Sequence, residues 1–510
     1  MTAWPLRILS LSLLSAVAVL SLLSQADAGN TFDTQSLLGE SYAGSAQFEL
    51  QDKVDFMARL TRVAADLGDT RAQAWCEELF TLASSPNMPA NWSRLAGEKN
   101  ALISLAKVNP ARAMQLFPSL AQEKAQPNAA GRYPEDVRAH AAAAIFPLYW
   151  KSVGPAGIPE LRSNANLLAA HGEFPFRGMA YIIERLANLH SQKSETDTAA
   201  IFHDALSAYD RESLYADTDE QFFDFLHSVR PSVSPALYSQ GLKVFIKHLT
   251  TERSDSNENY RADVMLTSGV LHFSSRGRLI LFRVFPAVAQ VNPKLAQDLI
   301  RQYPELESAG EEIKHIEQGV IEGLADQTKQ EELRNQMEQK ADLARIEALQ
   351  QTSPADAFAE AQKLKTPEAR MVAYSSLLSA IATSNPDQAA AIYSKEIGDA
   401  EKIGDRQSRL AAVAVLARGS YHVSEKKKFS EFTETVFQNG SSLFTASNQR
   451  AFERPGYEEL TGLVEFCAEH GENGVVDRIR QMTNPALRAY LLLAAAKGAA
   501  LQSSSQLAKQ

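Results

Sequence analysis

The chain has 510 residues, 45% of them hydrophobic, and carries a net charge of −10 from 51 basic and 61 acidic side chains. That composition supports a large folded core. It argues against nucleic acid or an anionic membrane surface as a partner, because both require a basic face, and the longest basic run, Lys426 to Lys428, is flanked by Glu425 and Glu431.

The N-terminus reads as a secretory signal peptide over residues 1–28. Arg7 supplies a positive start, Ile8 to Leu23 are uncharged and mostly apolar, and Ala26-Asp27-Ala28 offers a small-x-small cleavage site before Gly29. The apolar stretch is short for a membrane span. No second stretch of spanning length follows, so the mature chain is expected to be exported, periplasmic or secreted, and not to span a membrane. The two cysteines, Cys76 and Cys467, lie far apart in the chain and are expected to be reduced and buried.

Beyond the leader the patterns are helical. Val54, Met57, Ala58, Leu60 and Val63 make a first apolar face. Leu102, Leu105 and Ala106, then Leu116, Phe117 and Leu120, flank Asn109-Pro110. Further faces come from Tyr181, Ile182, Leu186 and Leu189, and from Phe222, Phe225, Leu226 and Val229. Loops are expected at 121–133, 190–197 and 250–260. No alternating run bounded by hairpin turns stands out, so strands are not expected. Residues 29–325 read as an N-terminal helical array. The stretch 326–350 is charged and Gln-rich and reads as an exposed helical connector. Residues 351–505 read as a second array.

Asn-Pro occurs at 109–110, 292–293, 385–386 and 484–485, each time where one helical pattern ends and another begins. Asn caps a first turn with its side-chain oxygen. Pro suits the first helical position and bars its predecessor from the helix. Pro354 to Pro386 spans one helical hairpin, a period near that of helical solenoids. The prolines sort into two classes. Pro110, Pro293, Pro354 and Pro386 are followed three residues later by Ala, a small residue that permits close helix approach. Pro367 and Pro485 are followed at the same distance by Arg370 and Arg488, with Arg409 at the matching place after Gly404. The first class is assigned to outer helices and the second to inner, concave-side helices.

Candidate chemistry is sparse. Ten histidines are scattered without metal-ligand spacing. Asp217 to Glu220 lacks the Gly and distal Glu of a calcium loop and reads as an acidic helix start. No nucleophile elbow or phosphate-binding Gly-rich loop is present. No catalytic residue, cofactor or metal is nominated. The most distinctive loop, His171 to Gly178, offers Arg177 at a pocket lip, or else two Phe residues that plug into the core. Arg370, Arg409 and Arg488 are candidates to line a concave binding surface, with hydrogen bonds to the adjoining hairpin as the structural alternative.

The Pro-led hairpins with Ala at close-contact positions resemble the helical-repeat solenoids, broadly the HEAT and tetratricopeptide-like families, over 351–500 and more loosely over 50–310. The tetratricopeptide pattern of Trp, Leu-Gly, Tyr and Ala is not reproduced in any unit. The resemblance implies an all-α fold, an α-solenoid of antiparallel hairpins in two arrays, and a curved surface that binds a protein or peptide. The function expected is an exported scaffold or binding protein without catalysis. One alternative is an all-helical extracytoplasmic enzyme acting on polysaccharide or peptidoglycan, with an acidic, aromatic-rich cleft. Another is a self-associating structural component of the envelope.

Overall fold

The computed structural model describes residues 33–88, 92–120, 137–170, 172–211, 218–250, 262–318, 327–446, 450–472 and 474–508. The expected signal peptide and the loop expectations at 121–133 and 251–260 lie outside these residues. The fold is all-helical apart from one small sheet. No described helix is long and apolar enough to cross a membrane.

The chain divides into two units. One comprises Thr70–Asn335; the other joins the residues up to Asp69 to those from Gln336 onward. A single N-terminal array over 29–325 is therefore not what forms. The correction has a direct cause in α1 (Thr34–Gly44) and α2 (Leu50–Asp66), which pack on the C-terminal helix α22 (Pro485–Ala508). Ser41 Oγ donates to the carbonyl of Ala489 (2.8 Å), and Arg480 donates twice to Glu40 (2.7 and 3.0 Å). Phe48, Phe56 and Tyr490 close an aromatic contact, with Phe56 edge-on to Tyr490 at 5.0 Å.

In the unit spanning 70–335 the helices are α3 (Ala72–Ala83), α4 (Trp92–Val108), α5 (Pro110–Leu116), α6 (Val137–Val153), α7 (Ile158–Ala169), α8 (Phe176–Ala187), α9 (Gln192–Asp210), α10 (Thr218–Val229), α11 (Pro235–Leu249), α12 (Arg276–Val291) and α13 (Pro293–Gln302). Helices α4, α6, α8, α10 and α12 touch one another in succession, and the intervening helices fill the places beside them. The core is aromatic. Tyr209 stacks flat on Phe222 at 4.0 Å, and Phe176, Phe225 and Phe245 pack around that pair. Phe174 and Phe176 of the distinctive loop are both buried in it.

Strands are present, contrary to expectation. β1 (Ala262–Leu266), β2 (Val270–Phe273) and β3 (Ile313–Gln318) form an antiparallel sheet in the order β2-β1-β3. Ala262, Val264 and Leu266 are buried while Met265 is exposed, so alternation exists. An apolar residue on the wet face hides it from a period-2 reading.

The other unit contains α14 (Gln327–Thr352, from Gln336 onward), α15 (Pro354–Ala361), α16 (Pro367–Ile381), α17 (Pro386–Ala400), α18 (Arg406–His422), α19 (Lys426–Ala446), α20 (Tyr457–Glu469), α21 (Gly474–Arg480) and α22. Here α16, α18, α20 and α22 touch in succession, with α15, α17, α19 and α21 beside them. Close approach recurs: a Cβ on Gly498 of α22 would overlap the carbonyl oxygen of Glu465 on α20. The second half of α14 is not a free-standing connector. Ile346 is buried there, and Leu343 and Leu349 pack against the same cluster as Leu377 and Ile392. Spacing of three places these side chains on one helical face.

All four Asn-Pro hinges are built alike. The Asn side chain accepts from the backbone N–H three residues on, at Arg112, Leu295, Gln388 and Leu487, with distances of 3.0–3.2 Å. At Asn109, Asn292 and Asn385 the Asn N–H also closes the preceding helix by donating to the carbonyl four residues back. At Asn109 and Asn292 that one residue is all that separates the two helices, whereas residues 382–385 and 481–484 intervene at the other two hinges.

Candidate functional site

The expected binding arginines occupy two kinds of place. Arg370 donates to both carboxylate oxygens of Asp399 (2.7 and 2.9 Å) and to the carbonyl of Leu364 (2.7 Å). Arg409 donates to the carbonyl of Ile403 (3.1 and 3.2 Å), and Arg488 to that of Met482 (3.3 Å). Each arginine reaches back six residues to hold the turn ahead of its own helix. All three sit on helices of the α16–α18–α20–α22 row. Arg177 differs: it is exposed in the first turn of α8, in the other unit. His171, beside it in sequence, lies outside the described residues.

Glu173 of the same loop is buried and forms a two-bond ion pair with the equally buried Arg138. The pair holds the loop against α6. Asp219, in the first turn of α10, accepts from the Tyr209 hydroxyl (2.6 Å), in keeping with an acidic helix start; Asp217 lies outside the described residues. Burial, with Asp219 beside it, pushes the Tyr209 phenol up. Both cysteines are free and buried, and burial pushes the Cys467 thiol up to about 12. A thiol so protonated is a poor nucleophile.

Two buried polar groups in the C-terminal unit escaped the sequence reading. Glu396 on α17 is fully buried, and neither carboxylate oxygen has a partner. It faces Gly419 of α18, where any Cβ would overlap it. Burial raises its pKa well above the usual carboxylate range, so the carboxylic acid is favoured there. His422 on α18 packs edge-on against Phe466 and His470 of α20. Burial, reinforced by His470, lowers its pKa to about 4. No group of three or more potential metal ligands gathers among the described residues.

An open cavity lies between α10, α11 and α12. Its lining includes Phe223, Leu226, His227, Arg230, Tyr238 and Arg283. The elements explain the convergence. Phe223 and His227 stand one turn apart on α10, with ring centroids 6.4 Å apart. Arg230 lies in the 3₁₀ turn Arg230–Ser232 that ends α10. Ser234 then caps α11, with Pro235 at its first position, and so brings Tyr238 round onto the cavity. Arg283 comes from the middle of α12 and lies over the Phe223 ring at 5.0 Å; Arg230 lies over Tyr238 at 5.7 Å. Arg230 also donates to the Gln290 side-chain oxygen. Neither arginine forms an ion pair among the described residues. Their neighbours on α12 do: Arg276 pairs with Glu220 and Arg278 with Glu305.

The sequence carried one signal for this site. Arg230 and Arg283 have no acidic residue three or four positions away on either side, so no local pair absorbs their charge. The 52 intervening residues hide their meeting. The lining residues include no carboxylate, unlike the acidic cleft that a polysaccharide-cleaving enzyme requires. No family model matches this chain, and no curated protein or solved structure matches it either.

Proposed function

We propose that this chain is an exported helical-repeat scaffold that binds a protein or peptide without turning it over. The observation carrying this reading is one row of helices within each unit. Every second helix touches the next of that row, and the intervening helices lie beside it. Such stacking supports an α-solenoid, in which no hairpin buries its apolar face alone and the row leaves an extended surface. The C-terminal arginines support it, since one carbonyl-holding device recurs on α16, α18 and α22, three of the four members of the row. Export rests on the leader pattern before Gly29.

Two measurements test the reading. N-terminal sequencing of the protein recovered from cells should begin at Gly29; a retained Met1 would remove export. Affinity capture of envelope extract on the mature chain should enrich one protein partner, whose purified form binds saturably and is released unaltered. Recovery of glycan fragments, or cleavage of the partner, would replace the scaffold with an enzyme.

A further inference from the structure

The geometry points to a binding site, in the cavity between α10, α11 and α12, for a carboxylate carried on a small apolar body. Two guanidinium groups and one imidazole converge there without a single carboxylate among the lining residues. The chain as a whole is acidic, with a net charge of −10. Two arginines left unpaired at one place therefore stand out against arginines of the same helix that each hold a glutamate. An anion seated in this cavity would interact favourably with both charges, though solvent reaches and screens each guanidinium.

The form of the cations narrows the ligand. Arg283 lies over Phe223 and Arg230 over Tyr238, so each guanidinium is held against a ring and is oriented in advance. An oriented guanidinium offers paired N–H donors that match a planar carboxylate. Arg230 uses one nitrogen on Gln290 and retains further donors. The rest of the lining is apolar or aromatic, with Leu226 buried behind Phe223. That surface suits a hydrocarbon or aromatic body, which inorganic phosphate lacks, so burying the apolar lining favours a carboxylate carried on such a body. The ligand class is therefore a monocarboxylate with a compact apolar group, free or as the C-terminus of a peptide ending in an apolar residue. This site is independent of the scaffold reading, because it needs only α10 to α12 and no protein partner.

Calorimetric titration of the mature chain with benzoate tests it, with benzamide and inorganic phosphate as comparison probes. Saturable benzoate binding that weakens with added salt is the expected result, with benzamide and phosphate silent. Arg283→Gln and Arg230→Gln should each weaken benzoate binding about tenfold or more, the loss typical of a hydrogen bond to a charged group. Both arginines are exposed, so circular dichroism should show both variants folded. Arg177→Gln should bind as the parent does. A tripeptide ending in Phe, tested against its C-terminal amide, separates the two sources: competition by the acid alone assigns a peptide terminus, and its failure assigns the free small molecule. Absence of saturable benzoate binding, equal binding of benzamide, preference for phosphate, or unchanged affinity in both arginine variants would overturn the assignment. None of these results bears on partner capture, whose failure would sink the scaffold alone.

Discussion

Each unit contains a row in which every second helix touches the next, and the two rows are packed differently. In the C-terminal unit, helices approach through small residues such as Gly419 and Gly498, and arginines at matching positions tie each turn to the helix that follows it. In the unit spanning 70–335, the rows are filled by aromatic rings centred on Tyr209 and Phe222, and a sheet interrupts the helices. Small-residue contacts leave little room between rods. Packing on large rings leaves irregular gaps at their edges, and it is at such an edge, beside Phe223, that the cavity opens. The recurring arginine device and the open cavity are thus found in different units.

That contrast can be broken one unit at a time. Trp75, Trp92 and Trp150 all lie in the 70–335 unit, and the fourth, Trp4, is in the leader. Tryptophan fluorescence therefore reports that unit alone, while far-ultraviolet circular dichroism reports both. The largest effect is expected from Phe222→Ala, which opens the aromatic core and should cost about 3–5 kcal/mol. The fluorescence transition in denaturant should move to lower concentration, and the C-terminal transition should stay in place.

Next comes Arg370→Ala, which strips the buried Asp399 of its two-bond partner. Lys402 still reaches that carboxylate at 2.6 Å, so a cost of about 3 kcal/mol is expected, at the low end for breaking a buried pair. Arg409→Ala loses only bonds to a carbonyl and should cost about 1 kcal/mol. Equal costs for the two would show that the carboxylate pair contributes nothing beyond the shared carbonyl contact. Both changes should move the dichroism transition without moving fluorescence.

A smaller effect is expected from pH, because two groups of the C-terminal unit oppose each other. The folded pKa of Glu396 is raised, so its contribution is fully present below the ordinary carboxylate pKa and is lost as pH rises above it. The folded pKa of His422 is lowered to about 4, so its contribution is present above the ordinary value of 6.5 and is lost as pH falls toward 4. Between about pH 4.5 and 6.5 the two slopes have opposite signs. Glu396→Met should leave a C-terminal unit whose melting temperature drops on acidification through that window. His422→Phe should leave one whose melting temperature rises. Identical profiles for the two variants would refute the opposition.

The smallest effect is also the one in which the units should agree. Asn292→Ala and Asn385→Ala remove the same cap from the same hinge, one in each unit, and each should cost about 1 kcal/mol. A clear difference between them would mean that the shared hinge is not energetically shared.

These hinges were fully legible in the sequence, because Asn-Pro acts on its own neighbours and needs no distant partner. The arginines were legible as a recurring position; of the bonds to the adjoining hairpin expected as their alternative, Arg370 makes one to Asp399, while all three hold the carbonyl six residues back. The sheet was missed because exposed Met265 and Val270 blur the alternation of β1 and β2, and because β3 joins them from 47 residues beyond Leu266. Glu396 read as one more acid on a helix, since its isolation depends on the absence of a side chain at Gly419. The cavity was invisible because Arg230 and Arg283 meet only after α11 and the sheet have formed. The pairing of α1 with α22 left no mark at all, since it depends on residues 448 positions apart.

That last pairing governs the order in which the molecule can be completed. Helix α22 is buried on nearly every side between Leu487 and Ala499, and part of that shelter comes from α1 and α2, which are synthesised more than 400 residues earlier. Those helices must wait, without this partner, until α22 has been made. The uninterrupted stretch 70–335 needs no such delay and can mature first. A permuted gene that starts at residue 336 and runs through a linker from 508 into 33 would abolish the wait, and should yield soluble protein from the C-terminal unit alone.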